Sequence, residues 1–128
     1  MKKSFKLAIA AFASLLTLGG VSSTGFVAHA EETRVEVIAK GFQHDFWKAV
    51  NKGAEKAASE LGAKINFVGP QNETAIAEQL EQLNNAINKN PKAIALAALD
   101  TEAELDAINM ALSKNIPIIG FDSGVPGA

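Results

Sequence analysis

The side chains best suited to chemistry lie in one stretch, Lys40 to Trp47, which reads Lys-Gly-Phe-Gln-His-Asp-Phe-Trp. Gln43 and His44 supply hydrogen-bonding groups there, and Phe46 and Trp47 place two aromatic rings side by side. Amide and imidazole groups donate and accept hydrogen bonds, and aromatic rings stack on flat apolar faces. This combination of groups is typical of non-covalent ligand binding.

The two adjacent rings are expected to point in different directions. Phe46 and Trp47 begin a helical pattern, so their side chains diverge by about 100°. Phe46 continues an apolar stripe through Val50 and Leu61 and is expected in the core. Trp47 is then left partly in a crevice, where it either stacks on a flat ligand face or packs beneath a neighbouring loop. His44 is either a ligand contact or a solvated or capping histidine.

Asp122 is the strongest single candidate outside that stretch. It directly follows an apolar run, so its carboxylate is expected at a crevice rim, where it can accept two hydrogen bonds from adjacent hydroxyls. Each hydrogen bond to a charged group contributes about 1.5–3 kcal/mol. The alternative is a carboxylate that only caps its own Asp-Ser-Gly turn. Asp100 is expected to cap a helix, and the loop from Gly69 to Asn72 is expected to be a simple turn.

Alternating apolar and amphipathic runs must position these loops. Runs rich in β-branched or alternating apolar residues predict strands, and apolar residues three and four apart predict helices. Strict alternation of the two predicts an α/β fold, a doubly wound parallel sheet in three α/β/α layers, which binds ligands at the carboxyl ends of its strands. The expected strands are 34–39, 63–68, 93–99 and 116–121, and the expected helices are 45–61, 73–89 and one from Thr101 to Lys114.

Capping residues are expected at the helix ends. Asp45 is well placed to cap the first helix, and Gly62 to end it. Thr101 and Glu104 have the spacing of a capping box at the start of the third helix. These positions predict where each loop meets its helix.

Residues 1–30 have the pattern of a secretory signal peptide. Three lysines precede an apolar run from Leu7 to Leu18, and Ala28-His29-Ala30 has the small-x-small pattern of a cleavage site. The alternative is an uncleaved membrane anchor, but an apolar run of roughly 12 residues is short of the ~20 that cross a bilayer. The absence of cysteine excludes a lipid anchor. The sequence therefore predicts a soluble protein of the periplasm or cell exterior, folded from residues 31–128.

Composition argues against several classes of function. Without its first 30 residues the chain has nine basic and 14 acidic residues, a net charge of −5, so nucleic acid is not an expected partner. The sequence contains no glycine-rich dinucleotide motif, phosphate-binding loop or Gly-x-Ser-x-Gly elbow. One histidine and no cysteine follow residue 30, so we expect no metal and no cofactor. A binding protein fits these features better than an enzyme.

Four segments carry a resemblance to a known family: 37–55, 79–87, 97–101 and 115–125. They resemble the periplasmic sugar-binding proteins of ABC transporters, of the ribose/galactose-binding type. The resemblance implies a two-lobed protein that closes on a monosaccharide or related polyol and delivers it to a membrane permease; a monomer is expected. The implied ligand contacts in this lobe are Lys40, His44, Phe46, Trp47, Asp122 and Ser123.

Three features limit what the resemblance specifies. His44 stands where an asparagine is common, and Ser123 where ribose binders often carry arginine, so a pentose is not singled out. The fourth expected strand is followed by glycine and proline without a closing helix, so the chain is expected to hold only the greater part of the first lobe. The alternative function is a ligand-sensing domain that feeds a receptor or transcriptional regulator.

Overall fold

Apolar and β-branched segments form four parallel strands in the computed structural model, which describes residues 31–127. The expected signal peptide, residues 1–30, lies outside this described part. The order of the strands across the sheet is β2-β1-β3-β4, which confirms the predicted α/β fold with a parallel sheet. The strands are β1 (Arg34–Ile38), β2 (Lys64–Val68), β3 (Ala93–Leu96) and β4 (Ile118–Gly120).

The strand order reverses at β1. The chain passes from β1 to β2 on one side and then crosses to β3 on the other side of β1. Val37 of β1 is in register with Phe67 of β2 and Ala95 of β3. The carboxyl ends of β1 and β3 therefore flank the reversal point, where open α/β sheets bind their ligands.

Helices connect the strands within the described residues: α1 (Asp45–Leu61), α2 (Ile76–Asn88) and α3 (Leu105–Ser113). Right-handed crossovers put α1 on one face of the sheet and α2 and α3 together on the other. The bounds of α1 are those predicted. Helix α2 begins later than expected because Asn72 and Thr74 form a turn in which Asn72 Oδ1 accepts from the Thr74 amide and hydroxyl. None of these helices is long and apolar enough to cross a membrane.

The larger core lies between the sheet and the α2/α3 layer. Its sheet and α2 members are almost completely removed from solvent: Ile38, Leu83, Ile87, Ile94 and Leu96. Burying one such side chain contributes about 1.5–3 kcal/mol. A smaller cluster on the α1 face joins Trp47 to Ala39 and Ala97, which immediately follow β1 and β3. The indole is therefore packed onto the strand ends at the reversal point.

The expected orientation of the two rings of α1 is wrong. Phe46 is 58% exposed and Leu61 is 82% exposed, whereas Trp47 is 2% exposed and Ala58 is also buried. The helix is turned by about one residue from the expected stripe. An indole buries more apolar area than a phenyl ring, and its N–H finds an acceptor here, so Trp47 takes the inward position.

Two of the expected helix caps are also wrong. Asp45 is the first residue of α1 and pairs with Lys48, while the capping position belongs to His44, whose side chain makes no capping hydrogen bond. Thr101 and Glu104 form no capping box, because residues 101–104 form a turn that leads into α3; Asp100 Oδ1 accepts from the Glu102 and Ala103 amides of that turn. The prediction for Gly62 is confirmed: its φ is 66°, and its N–H donates to Ala58 O.

Candidate functional site

Several of the candidate residues meet around one cavity at the carboxyl ends of the strands. This cavity has a volume of about 650 Å³, within the 300–1,000 Å³ of typical ligand pockets. We call it the loop cavity. It is lined by Lys40, His44, Asp45, Phe46, Trp47, Glu73 and Asp122.

An ion pair joins two loops at this cavity. Lys40 Nζ, in the loop after β1, lies 2.7 Å from Asp122 Oδ2, in the loop after β4. Both side chains are partly exposed, so each retains donor or acceptor capacity that faces solvent. Asp122 has a φ of 61°, a left-handed conformation that aspartate tolerates better than most residues. The turn therefore aims the carboxylate at Lys40 at a small cost in backbone strain.

Ser123 and Gln43 do not line the loop cavity. The Ser123 hydroxyl donates to Ala98 O at 3.0 Å, and its amide donates to Phe121 O at 2.6 Å. The first bond ties the Asp122 turn to the segment that follows β3, and the second lies within the turn, so the described contacts of Ser123 support the turn. Gln43 is exposed at the tip of the first loop, beside the lining residue His44.

Phe46 and Trp47, which line the cavity, and Phe121, which does not, stand edge to face. The Phe46 and Trp47 ring centroids lie 4.8 Å apart at an interplanar angle of 78°, and those of Trp47 and Phe121 lie 6.4 Å apart at the same angle. Such edge-to-face pairs contribute about 0.5–1.5 kcal/mol beyond their buried area. The Trp47 ring is thus buried and fixed in place, whereas the Phe46 ring is exposed at the opening of the cavity.

Glu73 is a lining residue that the sequence analysis missed. Its Oε1 accepts the Trp47 indole N–H at 3.0 Å, from the loop that follows β2. The contact spans 26 residues of sequence, so only the fold brings the two together. The sequence left two alternatives for Trp47, stacking on a ligand or packing beneath a neighbouring loop. Its burial fits the second alternative, and the indole also borders the loop cavity.

Gln79 is a second missed residue, and it holds the strand ends in place. It is fully buried in α2, where Nε2 donates to Ala39 O at 2.8 Å and to Ala97 O at 2.9 Å. Its Oε1 accepts from the Leu99 amide at 2.7 Å. One side chain thereby satisfies backbone groups after both β1 and β3. A glutamine inside the apolar stripe of α2 was the signal that could have revealed this role.

Two glycines let the first two loops pack closely. A Cβ added to Gly69 would lie 2.8 Å from both the carbonyl carbon and the oxygen of Gly41, a distance that real Cβ atoms do not show. A Cβ added to Gly41 would lie within ordinary contact distance of Trp47 Cδ1. Backbone contact with the loop after β2 therefore fixes the position of the loop that carries Lys40.

Glu104 is a buried carboxyl group beneath the loop that follows β3. Burial, helped by the nearby Asp100 charge, raises the pKa of Glu104 to about 7; the backbone N–H groups of Asp100 and Leu99 lower it only in part, because they are too poorly placed to form hydrogen bonds with the carboxyl group. Neither carboxyl oxygen has a hydrogen-bond partner. No cluster of three or more potential metal ligands of the His, Cys, Asp or Glu type occurs within residues 31–127.

The sequence model of the periplasmic binding protein domain family matches residues 35–128, which is most of the chain. The chain belongs to this family. The matched region begins at the second residue of β1 and includes every strand end that borders the loop cavity. The predicted resemblance to the sugar-binding proteins of ABC transporters is confirmed by the relatives of this periplasmic binding protein domain.

One curated relative is the D-galactose/methyl-galactoside binding periplasmic protein of Haemophilus influenzae. It is 30% identical over 128 residues, which is 100% of this chain and 36% of that protein. The chain therefore spans about a third of the length of the curated relatives it matches.

Solved structures of other proteins are similar to this chain in both fold and sequence. An ABC transporter solute-binding protein from Agrobacterium vitis, with bound D-fucose, is 37% identical with a TM-score of 0.70, covering 73% of this chain and 33% of that one. A Brachyspira murdochii protein described as an ABC transporter, LacI family transcriptional regulator, is 48% identical with a TM-score of 0.70, covering 73% and 29%. Relatives of this domain are thus sugar-binding periplasmic proteins of ABC transporters, with a regulator-like neighbour among them.

Proposed function

We propose that this chain forms one side of the ligand site of an exported solute-binding protein, which captures a monosaccharide or related polyol between two lobes. The observation that carries the proposal is the loop cavity, where the Lys40–Asp122 ion pair and the Phe46 ring face the same space. A sugar presents hydroxyls around its rim and apolar C–H groups on its faces. The cavity offers a matching partner for each.

Each lining residue has a distinct role in this proposal. The Asp122 carboxylate accepts hydrogen bonds from adjacent hydroxyls, and the Lys40 ammonium holds that carboxylate and donates to a ring or hydroxyl oxygen. His44 offers a further donor or acceptor. Phe46 covers a C–H face because its ring is free, whereas Trp47 supplies a rigid wall. Gln43 and Ser123 are proposed contacts that would need the second lobe or a loop movement to reach the ligand.

Delivery to a membrane permease of an ABC transporter is the proposed physiological step. Support comes from the named roles of the relatives, which include periplasmic sugar binders and ABC transporter solute-binding proteins. Residues 1–30 are the proposed export signal, and residues 31–128 the proposed first lobe. We expect a monomer that carries no cofactor and binds no nucleic acid.

Ligand titration tests the proposal. Trp47 is the one tryptophan of the chain and borders the loop cavity, so its fluorescence should respond to a bound sugar. A panel of hexoses, pentoses and polyols is added to the full-length protein, which contains both lobes. A saturable change with at least one member is expected, and Asp106→Asn, an exposed carboxylate of α3, should leave it unchanged. Silence across the whole panel would sink the proposal.

A sensory ligand domain is the second candidate function, favoured by the regulator-like description of the Brachyspira murdochii neighbour. The two functions differ in what binding is used for. Deletion of the gene should abolish uptake of the labelled ligand if the protein serves a permease. Normal uptake together with loss of a ligand-dependent transcriptional response would favour the sensor.

A further inference from the structure

The loop cavity carries an excess of negative charge. Its lining contains three carboxylates, those of Asp45, Glu73 and Asp122, and one ammonium group, that of Lys40, which gives a net charge of −2 with His44 neutral. All three carboxylate residues are exposed, so their charges face the space that a ligand fills. The charge of the lining is therefore a property that a charged ligand senses and a neutral one does not.

Two of the three carboxylates are each paired with a lysine. Asp122 Oδ2 lies 2.7 Å from Lys40 Nζ, and Asp45 Oδ1 lies 3.1 Å from Lys48 Nζ. Within residues 31–127, Glu73 forms no salt bridge. The charge that remains uncompensated at the cavity is therefore that of Glu73.

The contact between Glu73 and Trp47 holds this charge in place without neutralising it. Glu73 Oε1 accepts the indole N–H at 3.0 Å, and Trp47 is 2% exposed and fixed in the smaller core cluster. An indole is an uncharged donor, so the carboxylate keeps its full negative charge. The anchored oxygen is Oε1, and Oε2 accepts no hydrogen bond from the described part of the chain. The fold thus presents a carboxylate with one anchored oxygen and one oxygen that a ligand can use.

The size of the loop cavity brings any occupant close to this carboxylate. A volume of about 650 Å³ corresponds to a sphere about 11 Å across, close to the Debye length of about 8–10 Å at ordinary ionic strength. A charged group on the ligand therefore lies within the field of Glu73, whichever hydroxyls the site engages. A cleft lined by an excess of one sign of charge attracts the opposite sign and repels its own.

We propose that Glu73 is a specificity-determining residue of the loop cavity, which favours sugars that carry an ammonium group over neutral sugars and disfavours anionic sugars. The inference rests on the proposed function and adds the charge class of the preferred ligand, an amino sugar. Two unit charges about 4 Å apart in bulk water change the affinity by about fivefold, and a site with less water increases the effect.

Three sugars that share one ring skeleton test this preference. D-galactose is neutral, D-galactosamine replaces one hydroxyl with an amine that is mostly protonated at about pH 7, and D-galacturonate carries a carboxylate. Each is titrated by calorimetry into the full-length, two-lobed protein. D-galactosamine is expected to bind about fivefold or more tightly than D-galactose, and D-galacturonate about fivefold or more weakly.

A matched pair of variants assigns the preference to Glu73. Glu73→Gln removes the charge and keeps a side-chain oxygen that can accept the Trp47 N–H. The ratio of the affinity for D-galactosamine to that for D-galacturonate should fall about tenfold or more in this variant. Glu81→Gln removes an exposed carboxylate of α2 outside the loop cavity and should leave the ratio unchanged.

The possible results separate this proposal from the proposed function. A ratio that survives in Glu73→Gln would overturn the proposal, as would D-galacturonate binding as tightly as D-galactosamine to the unmodified protein. If a neutral sugar binds and D-galactosamine does not, the charge preference is wrong and sugar capture stands. If no sugar of any charge binds, both proposals fail.

Discussion

Lys40 Nζ lies 2.7 Å from Asp122 Oδ2, so two loops that are 82 residues apart in the chain are joined at the mouth of one cavity. Lys40 follows β1 and Asp122 follows β4, on either side of β3 in the sheet. The pair is the clearest link between the fold and the proposed function, because it exists only when the strand ends are correctly aligned.

Removal of this ion pair should affect ligand binding far more than stability. Both partners are partly exposed, and such pairs contribute only about 0–1 kcal/mol to folding. Lys40→Met should therefore shift the free energy of unfolding by less than about 1 kcal/mol. Ligand affinity should fall about tenfold or more, because a hydrogen bond to a charged group is worth about 1.5–3 kcal/mol. Lys56→Met, which removes an exposed ion pair within α1, is the control for both urea unfolding and ligand titration.

Gln79→Leu should destabilise the fold and loosen the site together. The variant leaves the Ala39 and Ala97 carbonyls and the Leu99 amide without their partner. Unsatisfied buried groups cost about 1–3 kcal/mol each, so we expect a total loss of about 3 kcal/mol or more. Urea unfolding measures it. Gln71→Leu, at an exposed loop position, should cost little, and an equally small cost for Gln79→Leu would contradict the assigned role.

Gly69→Ala should displace the loop that carries Lys40. The new methyl group would lie 2.8 Å from the Gly41 backbone, so the loop must move. Overpacking of this kind costs about 1–3 kcal/mol. The matched control is Gly53→Ala in α1, where a Cβ meets nothing within 4 Å and helix propensity should add about 0.5–1 kcal/mol of stability. Opposite signs for the two variants in thermal unfolding are expected, and a stabilising Gly69→Ala would be inconsistent with the close packing.

Glu104 should make the fold less stable as pH rises towards neutrality. Its pKa is about 7 in the folded chain against 4.5 as the ordinary value, so the folded state binds more protons between these limits. The stabilisation is fully present below about pH 4.5 and is lost as pH rises through 7, an effect of about 1–3 kcal/mol.

The isosteric variant Glu104→Gln isolates this effect. It should flatten the pH dependence of the free energy of unfolding between pH 4.5 and 7 and exceed the original stability at pH 8. Glu102→Gln, an exposed neighbour, should retain the slope. A slope that survives in Glu104→Gln would show that another group causes it.

The layers and loops of this fold could be predicted from local patterns. Helix α1 begins at Asp45 and ends before Gly62 because periodicity and a left-handed glycine both act locally. The positions of Lys40 and Asp122 followed from the rule that parallel strands bring their carboxyl ends to one edge. Both residues were therefore placed correctly at the edge where the loop cavity lies.

The inward face of α1 could not be predicted from the same patterns. The helix is rich in alanine, and two stripes one residue apart, through Phe46 or through Trp47, are almost equally apolar. The choice depends on Glu73 and on the alanines that follow β1 and β3, which lie far away in the sequence. Gln79 was missed for the same reason, since its acceptors are backbone carbonyls 40 and 18 residues away.

Calorimetric titration of the full-length, two-lobed protein with D-galactose, D-allose, D-ribose and D-fucose tests the central proposal most directly. Asp122→Asn is measured in parallel, with Asp106→Asn as the matched control. We expect saturable heat from at least one sugar, binding about tenfold to hundredfold weaker in Asp122→Asn, and no change in Asp106→Asn. Equal binding by both variants, or no heat from any sugar, would contradict sugar capture at the Lys40–Asp122 site.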